Sequence, residues 1–126
     1  MMRKLVFAIL LSTLVLVGES AGAQSTSGKF FIKACSGTAI HDAYENRQSE
    51  AGARGRICIG FVHGFLQGYI LATRSGKTIC PPTQEHINYE MAGILVRYLH
   101  NHPEDRQQDA AVLLKRALAA AWPCRN

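Results

Sequence analysis

Apolar residues recur at helical spacing along most of the chain, and this pattern predicts an all-α fold, a small bundle of about four helices. Ser27 and Thr83 are predicted N-caps. The polar run from Asn46 to Arg54 is predicted to be a connection. The predicted helices extend from about Gly28 to Glu45, from about Arg54 to Arg74, from Thr83 to near His100, and from Pro103 to near Pro123.

The second predicted helix has an uncharged stretch with glycine at every fourth position, Gly60, Gly64 and Gly68. Each glycine lowers helix stability by roughly 0.5 to 1 kcal/mol relative to alanine, so a compensating close approach of another backbone is expected. The favoured interpretation is packing against a helix of the same chain, and the alternative is a contact between two copies.

The N-terminus has the pattern of a secretory signal peptide. Arg3 and Lys4 precede an apolar run from Leu5 to Val17, and the small residues Ala21 to Ala23 follow. An uncleaved anchor is the alternative, but a spanning helix needs roughly 17 to 25 apolar residues and this run is shorter. The predicted division is a signal peptide over residues 1–23 and a helical domain over residues 24–126, which would be periplasmic or secreted.

All four cysteines lie in the predicted mature domain, and an even number in an oxidising compartment favours two disulfides. If the first two helices are antiparallel and joined by a turn near Gln48, Cys35 and Cys58 lie at similar levels along the pair. If the last two helices turn at His102, Cys80 and Cys124 do the same. The predicted pairs are therefore Cys35 with Cys58 and Cys80 with Cys124.

Charge does not indicate a nucleic-acid-binding protein. Without Arg3, Lys4 and Glu19, the chain keeps 12 basic and 8 acidic side chains, spread along the sequence. An acidic partner or the anionic envelope would suit this mildly positive charge, but it identifies no function.

Candidate catalytic and metal-binding groups are weak. Cys58 with His63 suggests a nucleophile and base, but a cysteine in a disulfide cannot attack. His41 and Asp42 are adjacent and point in different directions on a helix. His100 and His102 are a possible zinc pair, although an exposed turn beside a proline explains them as well. No enzyme activity, cofactor or metal is therefore predicted.

Several short motifs together resemble the Tai group (Rap-like) of type VI secretion amidase immunity proteins. Each motif is weak alone, but their order and spacing match over about two thirds of the mature chain. Trp122 stands where the family more often has phenylalanine. The matching segments are Cys58 to Gly64, Cys80-Pro81-Pro82, Val96 to Glu104, Ala117-Leu118 and Trp122-Pro123-Cys124.

The resemblance implies a periplasmic, all-helical and often dimeric protein of Gram-negative bacteria that blocks an NlpC/P60-like cell-wall amidase. Two other functions stay open: an orphan envelope module with the same fold and no toxin partner, and a small metal-binding protein. Exposure and shape suggest two partner-binding segments, from Ser75 to Thr78 and from His100 to Arg106. The candidate residues are Ser75, Lys77, His100, Asn101, His102, Glu104, Asp105 and Arg106.

Overall fold

The computed structural model describes residues 26–74 and 76–125, and the predicted signal peptide lies outside them. Within these ranges the chain forms five α-helices, one short 3-10 helix and no strand, which confirms the all-α class with one helix more than expected. The helices are α1 (Gly28–Ala34), α2 (Gly37–Glu45), α3 (Glu50–Ala72), α4 (Ile87–Asn101), the 3-10 helix Pro103–Asp105, and α5 (Ala110–Ala121).

The first predicted helix is wrong as a single element, because it is divided into α1 and α2 at Cys35 and Ser36. Ser36 adopts extended backbone angles, and its Oγ accepts a hydrogen bond from the Ala39 amide at 3.3 Å. A serine in this position satisfies an amide that an uninterrupted helix would bond to a backbone carbonyl. The cap therefore starts a new helix with Gly37 in its first position.

Helix α3 begins one turn earlier than predicted, so the expected connection over Asn46 to Arg54 is wrong in length. Ser49 is its N-cap, and the Ser49 Oγ accepts a hydrogen bond from the Gly52 amide at 2.9 Å. The same hydroxyl donates to the Asp42 carboxylate at 3.2 Å. One serine thus caps α3 and ties it to α2, which leaves only residues 46–49 for the turn between them.

Two glycines let α2 and α3 approach closely. A Cβ on Gly55 would overlap the carbonyl group of Ala39, and a Cβ on Gly52 would overlap the carbonyl oxygen of Asn46. Both glycines are buried. The bend from α2 into α3 therefore requires glycine at these two positions for steric reasons.

The last two helices begin later than predicted. Helix α4 starts at Ile87, so Thr83 is not its N-cap and residues 80–86 are irregular. Helix α5 starts at Ala110, where the Asp109 Oδ1 accepts a hydrogen bond from the Ala111 amide at 2.8 Å. The proline-led turn after α4 is a separate 3-10 helix because its hydrogen bonds do not continue into α5.

The core lies where α3, α4 and α5 meet, with α1 covering one side. Phe31 of α1 packs on Phe61 of α3, with ring centroids 4.2 Å apart. Burial of each large aliphatic side chain favours folding by roughly 1.5 to 3 kcal/mol. The largest fully buried apolar side chains are Val62, Ile79, Met91, Leu95, Leu99, Leu113, Leu114 and Leu118.

Both predicted disulfides are confirmed. Cys35 and Cys58 join the end of α1 to the middle of α3, with Cα atoms 5.2 Å apart. Cys80 and Cys124 join the segment before α4 to the end of α5, with Cα atoms 4.9 Å apart. Each disulfide therefore links covalently two segments of the chain that are separated by a turn.

Candidate partner-binding surfaces

Tyr69 of α3 holds the two ends of the loop, residues 73–74 and 76–78 in the described chain, that starts the connection from α3 to α4. The Tyr69 hydroxyl oxygen accepts hydrogen bonds from the backbone amides of Thr78 at 2.8 Å and Ile79 at 2.9 Å. At the start of the loop, the Thr73 hydroxyl donates to the Tyr69 carbonyl at 2.7 Å. A single residue on α3 thus fixes both ends of this loop.

The hydrogen bonds to Tyr69 change its acidity. Burial raises the pKa of the phenol, but donation from the Thr78 hydroxyl and from the Ile79 and Thr78 amides outweighs burial and lowers the pKa to about 8. Donors aimed at an oxygen stabilise its charged form. Ionised Tyr69 therefore binds the loop more strongly than the neutral phenol.

The far end of the loop is attached to the end of α5. Ile79 is buried and pairs with Pro123 in an isolated bridge, and the Cys80 amide donates to the Trp122 carbonyl at 2.8 Å. Between these anchors, Arg74, Gly76 and Lys77 are exposed, and Gly76 has a positive φ of 79°. Ser75, a candidate partner-binding residue, lies outside the described residues. The loop is therefore held at both ends, and its described residues include two exposed cations, Arg74 and Lys77.

The second predicted segment, after α4, is held by a network around Asp105. The Tyr98 hydroxyl donates to the Asp105 Oδ2 at 3.0 Å, and the side-chain Nε2 of Gln108 donates to the Asp105 Oδ1 at 2.7 Å. Arg116 lies 3.9 Å from the same carboxylate. Burial, followed by the hydrogen bond with Asp105, raises the pKa of Tyr98. The Asp105 carboxylate therefore connects the turn to Tyr98 of α4 and to Arg116 of α5.

Other candidate residues in this turn also make internal contacts. The ring of His102 stacks on Tyr98 with centroids 4.1 Å apart, and its Nδ1 lies 2.9 Å from the Tyr98 carbonyl oxygen. The Arg106 Nε donates to the Leu99 carbonyl at 2.7 Å. His102, Asp105 and Arg106 are half-buried, whereas His100, Asn101 and Glu104 are exposed. Only the latter three present their side chains fully to solvent.

The two predicted segments lie at opposite ends of the bundle. Ile79 and Cys80, directly after the first segment, contact the C-terminal end of α5, and residues 100–106 precede its N-terminal end. Helix α5 has 12 residues, which corresponds to a separation of about 18 Å at 1.5 Å per residue. The structure therefore does not bring them together into one site.

The outer face of α3 is exposed, apolar and glycine-rich. Ile57 is 51% exposed and Leu71 is 70% exposed. A Cβ on Gly60, Gly64 or Gly68 would meet no described atom within 4 Å. Within the described residues these three glycines make no close contact with another helix, because the described helices pack on the other side of α3. No helix in the described ranges is long and apolar enough to span a membrane.

An exposed aromatic pair, which the sequence analysis missed, connects α2 and α4. Tyr44 and Tyr89 stack with centroids 5.3 Å apart and are 51% and 40% exposed. Hydrogen bonding with Tyr44, followed by burial and the nearby Glu45, raises the pKa of Tyr89 to about 12. A groove of about 570 Å³ begins at Tyr89 and extends along α4 to Arg97. Only the pairing of α2 with α4 reveals this surface, since the two tyrosines are far apart in sequence.

The candidate catalytic pairs do not form a reaction centre. Cys58 is in a disulfide, so its sulfur is not a nucleophile. Asp42 accepts a hydrogen bond from Ser49 and does not orient the exposed His41. Among the described residues, no group of three or more histidine, cysteine, aspartate or glutamate side chains is arranged to hold a metal ion.

Comparison with known proteins gives a family match over nearly all of the described chain. The family model described as Rap1a immunity proteins matches residues 27–124. The comparison with curated proteins found no match, and neither did the comparison with solved structures. The matched range begins at the N-cap of α1 and ends at the last cysteine, so it contains all five helices and both disulfides.

Proposed function

The chain belongs to the Rap1a immunity protein family, and we propose that it protects its own cell by binding and occluding a type VI secreted peptidoglycan amidase. Immunity in such a family implies binding to a secreted effector. The finer assignment, to an NlpC/P60-like amidase, comes from the resemblance of the motifs around Cys58, Cys80 and Pro103. No enzymatic role is proposed for the chain itself.

The observation that supports occlusion best is that Tyr69 holds both ends of the connection after α3, at Thr73 and at Thr78. An inhibitor that inserts a loop into a cleft binds more tightly when the loop is already ordered, because less conformational entropy is lost on binding. Tyr69 and the anchored Cys80 provide that order here. Arg74 and Lys77 lie at the exposed part of this loop and would contact the amidase first.

Export is part of the same proposal. A cell-wall amidase acts outside the cytoplasm, so its inhibitor is needed there. Two disulfides are typical of proteins in oxidising compartments, and both are present. We propose that residues 1–23 are the cleaved signal peptide and that the domain over residues 24–126 is periplasmic.

We propose further that two copies pair through the outer face of α3. Exposed apolar side chains at Ile57 and Leu71, with the glycines between them, form a smooth surface that another helix can approach closely. Substitution of Gly64 by leucine is expected to convert the dimer to monomer in sedimentation experiments. Gly37→Leu is the matched control, because Gly37 is exposed and also has open space around it.

The test of immunity is co-purification from periplasm followed by an inhibition assay. A peptidoglycan amidase is expected to be retained with the protein, and its cleavage of peptidoglycan is expected to stop. Reversing charge with Arg74→Glu and Lys77→Glu is expected to weaken inhibition at least about tenfold, a loss of about 1.4 kcal/mol. Lys115→Glu, an exposed change on α5, is the control and leaves inhibition intact.

Two results would contradict the proposal at different levels. Full inhibition by the variant that carries both Arg74→Glu and Lys77→Glu would show that the occluding surface does not depend on these two residues. Failure of any peptidoglycan hydrolase to bind at micromolar concentration would favour the alternative function, an orphan envelope module with this fold.

A further inference from the structure

A cavity of about 400 Å³ lies where α1, α2, α3 and α4 meet, apart from the loop described above. Its volume is within the range of ligand pockets, about 300 to 1,000 Å³. Three basic side chains, Lys33, Arg54 and His100, line it together with apolar atoms of α1 and α2. None of its lining residues in the described chain is acidic, so a cation-rich hollow faces solvent.

Arg54 has hydrogen-bonding capacity that the chain does not use. Its Nη1 pairs with Glu50, whose side chain is 87% exposed. The Arg54 Nε is buried, and no atom of the described chain accepts its hydrogen bond. Leaving a buried donor unpaired costs roughly 1 to 3 kcal/mol, and an exposed ion pair contributes little. Because Nε is out of reach of solvent, a carboxylate entering the cavity would pair with the outer part of the guanidinium, in a side chain that is 35% exposed.

Hydroxyl groups supply further donors at the same cavity. Ser36 lines it, and the Ser36 Oγ already accepts a hydrogen bond from the Ala39 amide. Its hydroxyl hydrogen is therefore directed away from Ala39 and is available to an acceptor. Thr38 adds a second hydroxyl. Cations and hydroxyl donors without a lining carboxylate match the chemistry of an oxyanion.

We propose that this cavity receives an aspartate or glutamate side chain of the bound effector. The inference rests on the proposed function and adds a second contact to it. Charge complementarity favours an acidic protein segment. His100 lies both in the cavity lining and in the exposed turn after α4, so the cavity continues the surface that the sequence predicted for partner binding.

The first arm of the test uses a peptide and needs no effector. Acetyl-Gly-Asp-Gly-amide, titrated into the isotope-labelled protein, is expected to shift the backbone amide signals of Thr38 and Ala51 at millimolar concentration. The matching peptide with asparagine in place of aspartate is expected to leave them unchanged. Arg54→Gln and Lys33→Gln are expected to weaken binding about tenfold.

Matched controls remove the same charge elsewhere on the same helices. Lys29→Gln changes an exposed lysine of α1, and Arg56→Gln changes an exposed arginine of α3, and neither residue lines the cavity. Both controls are expected to bind the aspartate peptide as the unchanged protein does. Because Lys33 is exposed, its substitution tests the site even if Arg54→Gln disturbs folding.

The second arm measures how the same variants inhibit the amidase retained in the periplasmic co-purification. Weaker inhibition by Lys33→Gln and Arg54→Gln, with both controls unchanged, supports the site. Unchanged inhibition by all four variants overturns the site and leaves the proposed function intact. If the unchanged protein does not inhibit the amidase at all, the proposed function fails. The peptide titration tests the carboxylate site separately, and equal shifts from the asparagine and aspartate peptides overturn it.

Discussion

Helix α3 contains five glycines, and the halves before and after Cys58 differ in what surrounds them. In the first half, Gly52 and Gly55 lie against the backbone of α2, and a side chain at either position would overlap carbonyl atoms. In the second half, Gly60, Gly64 and Gly68 face open space. The same residue type therefore permits a close contact inside the chain in one half and forms a smooth outer surface in the other.

This difference shows that the spacing of glycines does not identify their partner. The regular spacing of four belongs to the exposed glycines, whereas the buried pair is spaced by three. Each glycine lowers helix stability, but among the described residues neighbouring atoms explain the glycine only in the first half. Four changes in or beside α3 test this contrast.

The largest effect is expected from the disulfide at the border between the halves. Replacing both Cys35 and Cys58 by alanine should lower the free energy of unfolding by about 3 kcal/mol, because a loop of 23 residues is no longer closed in the unfolded chain. Denaturant titration measures this loss. The same change at Cys80 and Cys124, with a separation of 44 residues, should cost about 0.6 kcal/mol more. A smaller loss at the second pair would contradict the entropic explanation.

Gly55→Ala is expected to destabilise the fold by about 2 kcal/mol, because overpacking against the α2 backbone exceeds the gain in helix propensity. The added Cβ has no room beside the Ala39 carbonyl. The midpoint of urea unfolding should fall with an unchanged slope. A midpoint equal to or above that of the unchanged protein would show that α2 shifts easily, and the contrast between the halves would weaken.

Gly64→Ala is expected to have the opposite sign, raising the free energy of unfolding of the monomer by about 0.5 to 1 kcal/mol. The methyl group enters open space, so only helix propensity changes. Unfolding should be followed at concentrations that keep the chain monomeric. Destabilisation under these conditions would reveal a contact within the chain and erase the distinction between the two halves.

Tyr69→Phe tests the end of α3 and is expected to have the smallest effect near neutral pH, about 1 kcal/mol or less. The lowered pKa, about 8, means that ionised Tyr69 stabilises the folded state fully above pH 10 and that this contribution is lost as pH falls through 8. The stability difference between the two proteins should therefore grow from pH 8 to pH 10. Tyrosinate absorbance should show one group titrating near pH 8 in the unchanged protein. The absence of such a titration would contradict the proposed hydrogen bonding of the Tyr69 hydroxyl by Thr78 and Ile79.

Much of the fold was predictable because local spacing determines it. The pairing of the cysteines was predicted from the number of residues that separate each cysteine from the turn between two helices. Both turns lie near their predicted places. The breaks at Ser36 and before Ile87 were missed for a physical reason. Serine is compatible with a helix interior as well as with an N-cap. Residues 78–80 are held by Tyr69 and by Trp122, and Trp122 is distant in sequence.

The candidate surfaces were predictable only in part. Both loops could be located from breaks in the apolar pattern, and Lys77, His100, Asn101 and Glu104 are exposed in them. The hydrogen bonds and ion pairs inside these loops could not be predicted in this way, since Asp105 is held by side chains from α4 and α5. The cavity around Arg54 and the Tyr44–Tyr89 pair each combine residues from separate helices, which no single stretch of sequence indicates.

The order of the disulfides along the chain affects how an exported protein of this kind matures. Each bond joins neighbouring cysteines, the first with the second and the third with the fourth. A chain that crosses a membrane from its N-terminus delivers Cys35 and Cys58 to the oxidising side before Cys80 arrives. An oxidase that links cysteines as they emerge would therefore make the native bonds directly, and no isomerase would be needed to exchange them.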